Sequence, residues 1–274
     1  MPHTNNSDFK MRTTEYSIDA RTERTVGDKV AVIFCTKNSA ATIQNAIKAI
    51  KNSNYDLDSI IVVDGFSNDK TVEKAKQGGA TNVITQPEKK FPGKGIAMKA
   101  GIEESRKAGA DVALFLDSDI KNLSGQWVDA LVDPILEEGY DMTRGFYERA
   151  PRDAAVTKLV ARPMLSVFFP ELSHFEQPLS GEVCARMQVW EDLLNRDAKP
   201  PDGWGIDVWF FVEAAMSGHK LREVYLGRKE HTSFDGYKED IGKLHKMSEQ
   251  VLFTILNEAV KYDRFEQHYN RVSL

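Results

Sequence analysis

The length and charge of the chain favour one large α/β domain and exclude several kinds of partner. Its 274 residues can bury a substantial hydrophobic core, and its two cysteines show no disulfide or metal spacing. The net charge is −5, from 36 basic and 41 acidic residues, so the overall field would not attract nucleic acid or anionic lipid. Since no apolar run has membrane-spanning length, we expect no membrane span and a cytoplasmic protein.

Short apolar runs alternate with amphipathic stretches through the first half of the chain. The predicted strands lie at 30–35, 59–64, 81–84 and 110–116. The predicted helices lie at 41–51, from 70 onward and at 95–108. This alternation predicts a mainly parallel, doubly wound α/β sheet with crossover helices.

The second half of the chain is less regular. Beyond Asp141 prolines punctuate predicted loops, with a helix predicted at 208–216 and a strand at 220–226. From about 237 to 262, apolar residues recur at helical spacing and predict a long amphipathic helix. This helix either packs on its own domain or forms a dimer, and the sequence favours neither.

The tripeptide Asp117-Ser118-Asp119 directly follows the predicted strand at 110–116. In open α/β sheets, ligands bind at the carboxyl ends of the strands. Because Mg²⁺ and Mn²⁺ prefer oxygen ligands, one carboxylate of this turn can bind a metal and the other a ribose hydroxyl or a metal-bound water. The alternative is that the tripeptide, taken by itself, is an ordinary turn that binds no ligand.

Two other polar side chains come where a nucleotide could bind. Asp64 ends the predicted strand at 59–64, where its carboxylate could accept hydrogen bonds from a base or ribose. Lys94 lies between Gly93 and Gly95, in a predicted loop that would let backbone and ammonium approach a diphosphate. The alternative is that Lys94 is a solvated lysine that contacts no ligand.

Together these segments resemble the nucleotide-sugar domain of GT-A-fold glycosyltransferases. They occur in the order typical of that family, at 62–71, 93–95 and 117–119. Segments of the second half are similar to the glucosyl-3-phosphoglycerate synthases, which with the mannosyl-3-phosphoglycerate synthases form the retaining glycosyltransferase family 81. These segments lie at 156–163, 169–172, 177–182, 203–207 and 226–231. The resemblance implies a GT-A fold with a C-terminal helical extension.

The resemblance assigns roles at the metal and the diphosphate. It makes Asp119 and His231 ligands of Mg²⁺ or Mn²⁺, and Asp117 and Ser118 contacts to the nucleotide. Lys94 would then hold the diphosphate. A carboxylate and an imidazole suit a divalent cation that bridges two phosphates.

The resemblance also assigns roles at the donor sugar, which would come from UDP-glucose or GDP-mannose. Glu182 and Asp207 would bind sugar hydroxyls, and Leu179 would help place backbone carbonyls beside the anomeric carbon. With Asp119, these residues would form the catalytic set of a front-face, retaining mechanism without a protein base. Asn38-Ser39-Ala40 stands where most members carry one or two glutamates, which leaves the donor base open.

The acceptor segment departs from the family pattern. Members carry an arginine before a threonine that corresponds to Thr157, and the two grip the acceptor phosphate; this chain has Ala155 at the arginine position. A second family residue, an asparagine, corresponds to Ser233. Arg144 and Arg149 either replace the missing arginine or belong to a solvated basic loop. The acceptor is therefore 3-phosphoglycerate, glycerate or another small molecule, and a non-catalytic nucleotide-sugar-binding protein is the alternative function.

The resemblance divides the chain into four parts. A flexible N-terminal arm would cover 1–28, and a nucleotide-sugar-binding half 29–140. An acceptor- and metal-binding half would cover 141–235. The remaining residues, 236–274, would form the C-terminal helix and tail, where a homodimer contact is expected.

Overall fold

The computed structural model of the chain describes residues 27–150, 153–231 and 237–266. Within these residues seven strands form one sheet: β1 (Val30–Thr36), β2 (Leu57–Asp64), β3 (Asn82–Thr85), β4 (Val112–Phe115), β5 (Met142–Glu148), β6 (Val183–Arg186) and β7 (Leu221–Arg228). The α-helices of the same residues are α1 (Ile43–Ile50), α2 (Thr71–Gly78), α3 (Lys94–Lys107), α4 (Gly125–Leu136), α5 (Arg162–Phe168), α6 (Met187–Leu194), α7 (Ile206–Met216) and α8 (Tyr237–Lys261). Nearly all of the predicted N-terminal arm lies outside this part of the chain.

The strand order across the sheet is β3-β2-β1-β4-β6-β5-β7. The pairs among β1, β2, β3 and β4 are parallel, and β5 pairs with β7 in parallel. β6 runs antiparallel to both of its neighbours, β4 and β5. The prediction of a mainly parallel sheet is confirmed, with one reversed strand at its centre.

The central strand β1 is apolar throughout because helices cover both faces of the sheet. Val30, Val32 and Phe34 face the layer that contains α1 and α4. Ala31 and Ile33 face the layer that contains α3, α6 and α7. Successive side chains of a strand point to opposite faces, so a strand covered on both sides reads as a continuous apolar run.

The long helix α8 packs on its own domain, which is one of the two predicted alternatives. Its residues Val251 and Ile255 are fully buried in a third apolar cluster, together with Phe211 of α7. Phe253 and Val260 are exposed on another part of the helix surface. A homodimer stays a prediction.

The structure corrects the prediction that loops dominate beyond Asp141. β5 and β6 lie in that region and are paired on both sides within the sheet. The sequence of β5 concealed the strand because Arg144, Gly145 and Glu148 interrupt its apolar pattern. Across the residues that the structure describes, no helix combines the length and hydropathy needed to cross a membrane.

Candidate active site

The polar residues predicted for the site lie together at one edge of the sheet. Asp64 is the last residue of β2, and Asp117 comes shortly after the end of β4. Because β6 is antiparallel, Glu182, which precedes it, lies at this same edge. Lys229 and His231 follow β7, which runs parallel to β5. The sheet thus brings together residues that are far apart in the sequence.

A buried lysine connects two of the predicted site carboxylates. Lys229 Nζ lies 2.9 Å from Asp117 Oδ2 and 2.8 Å from Glu182 Oε1. Burial opposes the charge on Lys229, but the two carboxylates outweigh burial and raise its pKa well above the usual value. Burial also disfavours ionised Asp117, but Lys229 and Lys94 hold the pKa of that carboxyl well below its usual range. Lys229 and Asp117 are therefore both charged at neutral pH.

Tyr147 and Arg149 extend this network along β5. The Tyr147 hydroxyl donates a hydrogen bond to Glu182 Oε2 at 2.6 Å. The Arg149 guanidinium donates to the Tyr147 hydroxyl at 3.0 Å and lies over its ring, with Cζ 4.7 Å from the centroid. Lys229 Nζ approaches the same ring at 4.8 Å. Two cations therefore gather around one phenol, beside Glu182.

Lys94 begins α3 and forms a second ion pair at this edge. Its Nζ lies 2.7 Å from Asp207 Oδ2. Burial opposes the lysine charge, but Asp207 and then Asp117 overcome it and raise the pKa of Lys94. The first turn of α3 is the positive end of a helix dipole, which favours a nearby diphosphate.

Packing within the protein, rather than approach to a ligand, accounts for the two glycines around Lys94. A Cβ on Gly95 would lie 1.9 Å from the Pro201 carbonyl oxygen. A Cβ on Gly93 would lie 2.6 Å from the Gln86 amide nitrogen. Lys94 itself belongs to a helix, so the prediction of a glycine-flanked loop is corrected.

Asp64 ends β2 and Ser118 lies in the turn after β4, the two strands that flank β1. Asp64 Oδ2 accepts a hydrogen bond from Ser67 N at 3.0 Å, whereas its Oδ1 is buried and makes no hydrogen bond. Ser118 Oγ lies 2.9 Å from Thr36 Oγ1 and 3.1 Å from Ser39 Oγ. The free oxygen of Asp64 is suited to a donor on a nucleotide, while the Ser118 side chain orders the segment after β1.

The predicted metal ligands Asp119 and His231 lie on neighbouring segments. A backbone bridge joins Ile120 to His231, and Lys121 N donates to Glu230 O at 2.6 Å. Asp119 Oδ2 lies 3.9 Å from His231 Nδ1. Two ligands of one small divalent cation, each about 2.1 Å from it, can be at most about 4.2 Å apart, so this pair can share an ion.

Within the described residues, Asp119 and His231 supply only part of the coordination of such an ion. In the described part of the chain, no three His, Cys, Asp or Glu side chains form a cluster that could hold a metal. Mg²⁺ commonly uses one or two carboxylates and takes substrate phosphates and water as its other ligands. The donor set of Asp119 and His231 fits a cation that binds together with a nucleotide diphosphate.

The structure corrects the prediction that Arg144 contacts the acceptor. Arg144 is wholly buried, and it donates hydrogen bonds to the carbonyl oxygens of Pro178 at 2.8 Å and Ser180 at 3.4 Å. With no exposed surface it cannot reach an acceptor. It instead supports the loop that carries Leu179 toward Glu182.

The other predicted acceptor residues are Thr157, Arg149 and Ser233. Thr157 is buried at the start of a one-turn π-helix, Thr157–Ala161, and such turns are frequent at functional sites. Arg149 is partly exposed beside Tyr147. Ser233 lies outside the described residues. The acceptor roles of all three stay predictions.

Neither Lys229 nor Tyr147 is among the residues predicted for the site. A signal existed for Lys229, because it lies in the segment 226–231 that is similar to the glucosyl-3-phosphoglycerate synthases. Tyr147 had no signal, since it lies in a stretch predicted to be loop. Its proximity to Glu182 depends on the pairing of β5 with β6.

Known proteins share both the sequence and this architecture. A family model described as glycosyl transferase family 2 matches residues 31–189, more than half of the chain. Glucosyl-3-phosphoglycerate synthase from Mycobacterium tuberculosis is 31% identical over 253 residues, which are 85% of this chain and 74% of the relative. The synthase from Petrotoga mobilis is 29% identical over 260 residues, or 87% and 75% of the two chains.

A crystal structure of the Mycobacterium tuberculosis synthase superposes with a TM-score of 0.71 at 29% identity, and the match covers 88% of this chain and 86% of that one. That crystal contains Mn²⁺, UDP-glucose and phosphoglyceric acid. The predicted GT-A fold and the resemblance to glucosyl-3-phosphoglycerate synthases are thereby confirmed. The chain belongs to glycosyl transferase family 2, as a glycosyltransferase related to the glucosyl-3-phosphoglycerate synthases.

Proposed function

We propose that this glycosyltransferase moves glucose from UDP-glucose to a small anionic hydroxy acid, with Mg²⁺ or Mn²⁺ and with retention of anomeric configuration. The observation that carries the proposal is the bridge from Lys229 to Asp117 and Glu182, beside the pair of Lys94 and Asp207. Two cations and three carboxylates thus meet at one sheet edge. These are the groups that suit a diphosphate and the hydroxyls of a sugar.

UDP-glucose is the favoured donor because a relative with the same fold was crystallised with it and with Mn²⁺. The buried, unpaired Oδ1 of Asp64 offers an acceptor for a hydrogen bond from the nucleotide. GDP-mannose is the second donor to test, since Asn38-Ser39-Ala40 leaves recognition of the base open.

In the proposed reaction, the acceptor hydroxyl attacks the anomeric carbon from the face where the diphosphate leaves. The bond from that carbon to the phosphate oxygen breaks as the bond to the acceptor oxygen forms, and the departing phosphate takes the hydroxyl proton. A bound divalent cation neutralises charge on the departing UDP. Lys94 adds positive charge there. Glu182 and Asp207, predicted to bind sugar hydroxyls, are buried and hold Lys229 and Lys94 in position. Catalysis then rests on positioning and electrostatic stabilisation.

Arg149 supports an anionic acceptor even though Ala155 replaces the family arginine. Each charge-assisted hydrogen bond lost with a guanidinium is worth about 1.5–3 kcal/mol. Arg149 lies with Lys229 around Tyr147, so this chain carries a different guanidinium beside the site. The crystallised relative contains phosphoglyceric acid, a small hydroxy acid of the proposed class.

A transfer assay tests the proposal directly. The protein with Mn²⁺ is given UDP-glucose or GDP-mannose, each with 3-phosphoglycerate, with glycerate or without acceptor. We expect product from UDP-glucose with 3-phosphoglycerate, with the α-configuration by NMR, and loss of activity with EDTA that added Mn²⁺ restores.

The other outcomes separate the alternatives. Product only with GDP-mannose would contradict the donor, and a β-linked product would contradict retention. Product only with glycerate would show that a phosphate on the acceptor is not needed, as expected if Ala155 marks a changed acceptor site. If no donor gives any product, the proposal is contradicted and the non-catalytic alternative is favoured.

A further inference from the structure

The His231 imidazole lies between two carboxylates, one near each ring nitrogen. Asp119 Oδ2 is 3.9 Å from Nδ1, and Asp153 Oδ2 is 3.4 Å from Nε2. The His231 side chain is 15% exposed and that of Asp153 is 13% exposed. Nε2 is buried and makes no hydrogen bond of normal geometry with the residues that the structure describes. Asp119, in contrast, is 40% exposed.

A histidine that binds a metal uses one ring nitrogen, and the other nitrogen carries a proton that needs an acceptor. Metal-bound histidines almost always donate this N–H to a carboxylate, a carbonyl or water, which fixes the tautomer and makes the ligand more basic. At His231, Asp153 is the carboxylate at the nitrogen that faces away from Asp119. A small rotation of either side chain would shorten 3.4 Å to a normal hydrogen bond.

We propose that Asp153 is a positioning residue of the metal site, and this inference rests on the proposed metal-dependent function. Asp153 accepts the proton of His231 Nε2, which leaves Nδ1 unprotonated and directed toward Asp119.

The local backbone holds Asp153 in this position. Asp153 N donates to Ala150 O at 2.9 Å. Ala154 adopts a left-handed conformation with φ of 58°, and Lys158 N then donates to Ala154 O at 2.9 Å. Asp153 therefore links the metal histidine to the segment that carries Thr157.

Mn²⁺ binding in the presence of UDP tests the proposal without any turnover. Free Mn²⁺ is measured by electron paramagnetic resonance for the wild type and for Asp153→Asn, Asp153→Glu and Glu230→Gln. We expect Asp153→Asn to weaken Mn²⁺ binding about 10- to 100-fold, the range seen when such outer carboxylates are lost. Asp153→Glu should recover most of the affinity. Glu230→Gln removes an exposed neighbouring charge and should change the affinity less than threefold.

UDP binding without metal gives a second measurement, which separates positioning from general damage. We expect Asp153→Asn to bind UDP alone as the wild type does. Mn²⁺ affinity of Asp153→Asn within twofold of the wild type would overturn the proposal, as would an equal loss in Glu230→Gln. If the wild type with UDP binds no Mn²⁺, the proposed metal-dependent function fails as well. If Asp119→Ala loses Mn²⁺ and Asp153→Asn does not, only the inference about Asp153 fails.

Discussion

Replacing Lys229 with methionine should destabilise the protein strongly, because this ammonium holds two carboxylates at the centre of the site. Methionine keeps much of the apolar stem but removes the contacts of 2.9 Å to Asp117 and 2.8 Å to Glu182. Lys229 is 2% exposed and Glu182 is wholly buried, so water cannot easily replace the lost cation. The Tyr147 hydroxyl would remain on Glu182 but carries no positive charge.

The size of the effect follows from the burial of the two acids. Removing one partner of a buried ion pair typically costs about 3–5 kcal/mol, because the other charge is left unpaired. The Asp117 side chain is 37% exposed and can recover solvation, whereas Glu182 cannot. We therefore expect a loss near the lower end of that range, about 3 kcal/mol, or a fall in Tm of about 6–12 °C.

Guanidinium denaturation followed by circular dichroism and by tryptophan fluorescence measures this loss, and agreement of the two signals checks two-state behaviour. Lys90→Met is the matched control, since Lys90 lies 2.7 Å from Asp202 but is 54% exposed, and such exposed pairs contribute little. Lys229→Arg keeps the charge and should recover most of the stability. Equal midpoints for Lys229→Met and Lys90→Met would refute the reasoning.

Three further predictions concern the metal, the acceptor and the contact between α7 and α8, where Glu258 of α8 lies beside Glu213 of α7. Asp119→Ala and His231→Ala should each abolish Mn²⁺-dependent transfer with an unchanged circular dichroism spectrum, and near-normal turnover in either variant would contradict the metal assignment. Arg149→Met should lower kcat/KM for an anionic acceptor about 10- to 150-fold, as expected from the loss of a charge-assisted hydrogen bond, with the affinity for UDP unchanged. Burial, and then the neighbouring Glu213, raise the pKa of Glu258 from 4.5 to about 8, so the stability that its proton provides is lost as pH rises toward and through 8. Glu258→Gln, which mimics the protonated acid, should therefore show a smaller decline in denaturation midpoint between pH 6 and 9 than the wild type, and parallel curves would contradict this.

Most elements of the first half could be predicted from the sequence because local rules determine them. β1 and β2 are buried on both faces and therefore appear as continuous β-branched and apolar runs, and both begin or end within two residues of the prediction. α8 shows the spacing of one buried face, and its predicted bounds differ from the structure by one residue. The motif that ends in Asp119 could be placed at the carboxyl edge by topology alone.

The second half could not be predicted as well, because its strands depend on partners far away in the sequence. β5 contains Arg144, a residue that ordinarily argues against a buried strand. Its Nη2 donates hydrogen bonds to the carbonyl oxygens of Pro178 and Ser180, and Phe211 lies under its guanidinium. No local pattern contains that information.

The sequence by itself determined the α/β class, the alternation of the early strands and helices along the chain, and the identity of the groups available for a metal and a diphosphate. Only the tertiary structure decided which charges meet. It placed Lys229 between Asp117 and Glu182, removed Arg144 from the acceptor side and set Asp153 against His231. The physical reason is that periodicity reports which face of an element is buried, whereas the pairing of charges depends on strand order and register across long sequence separations.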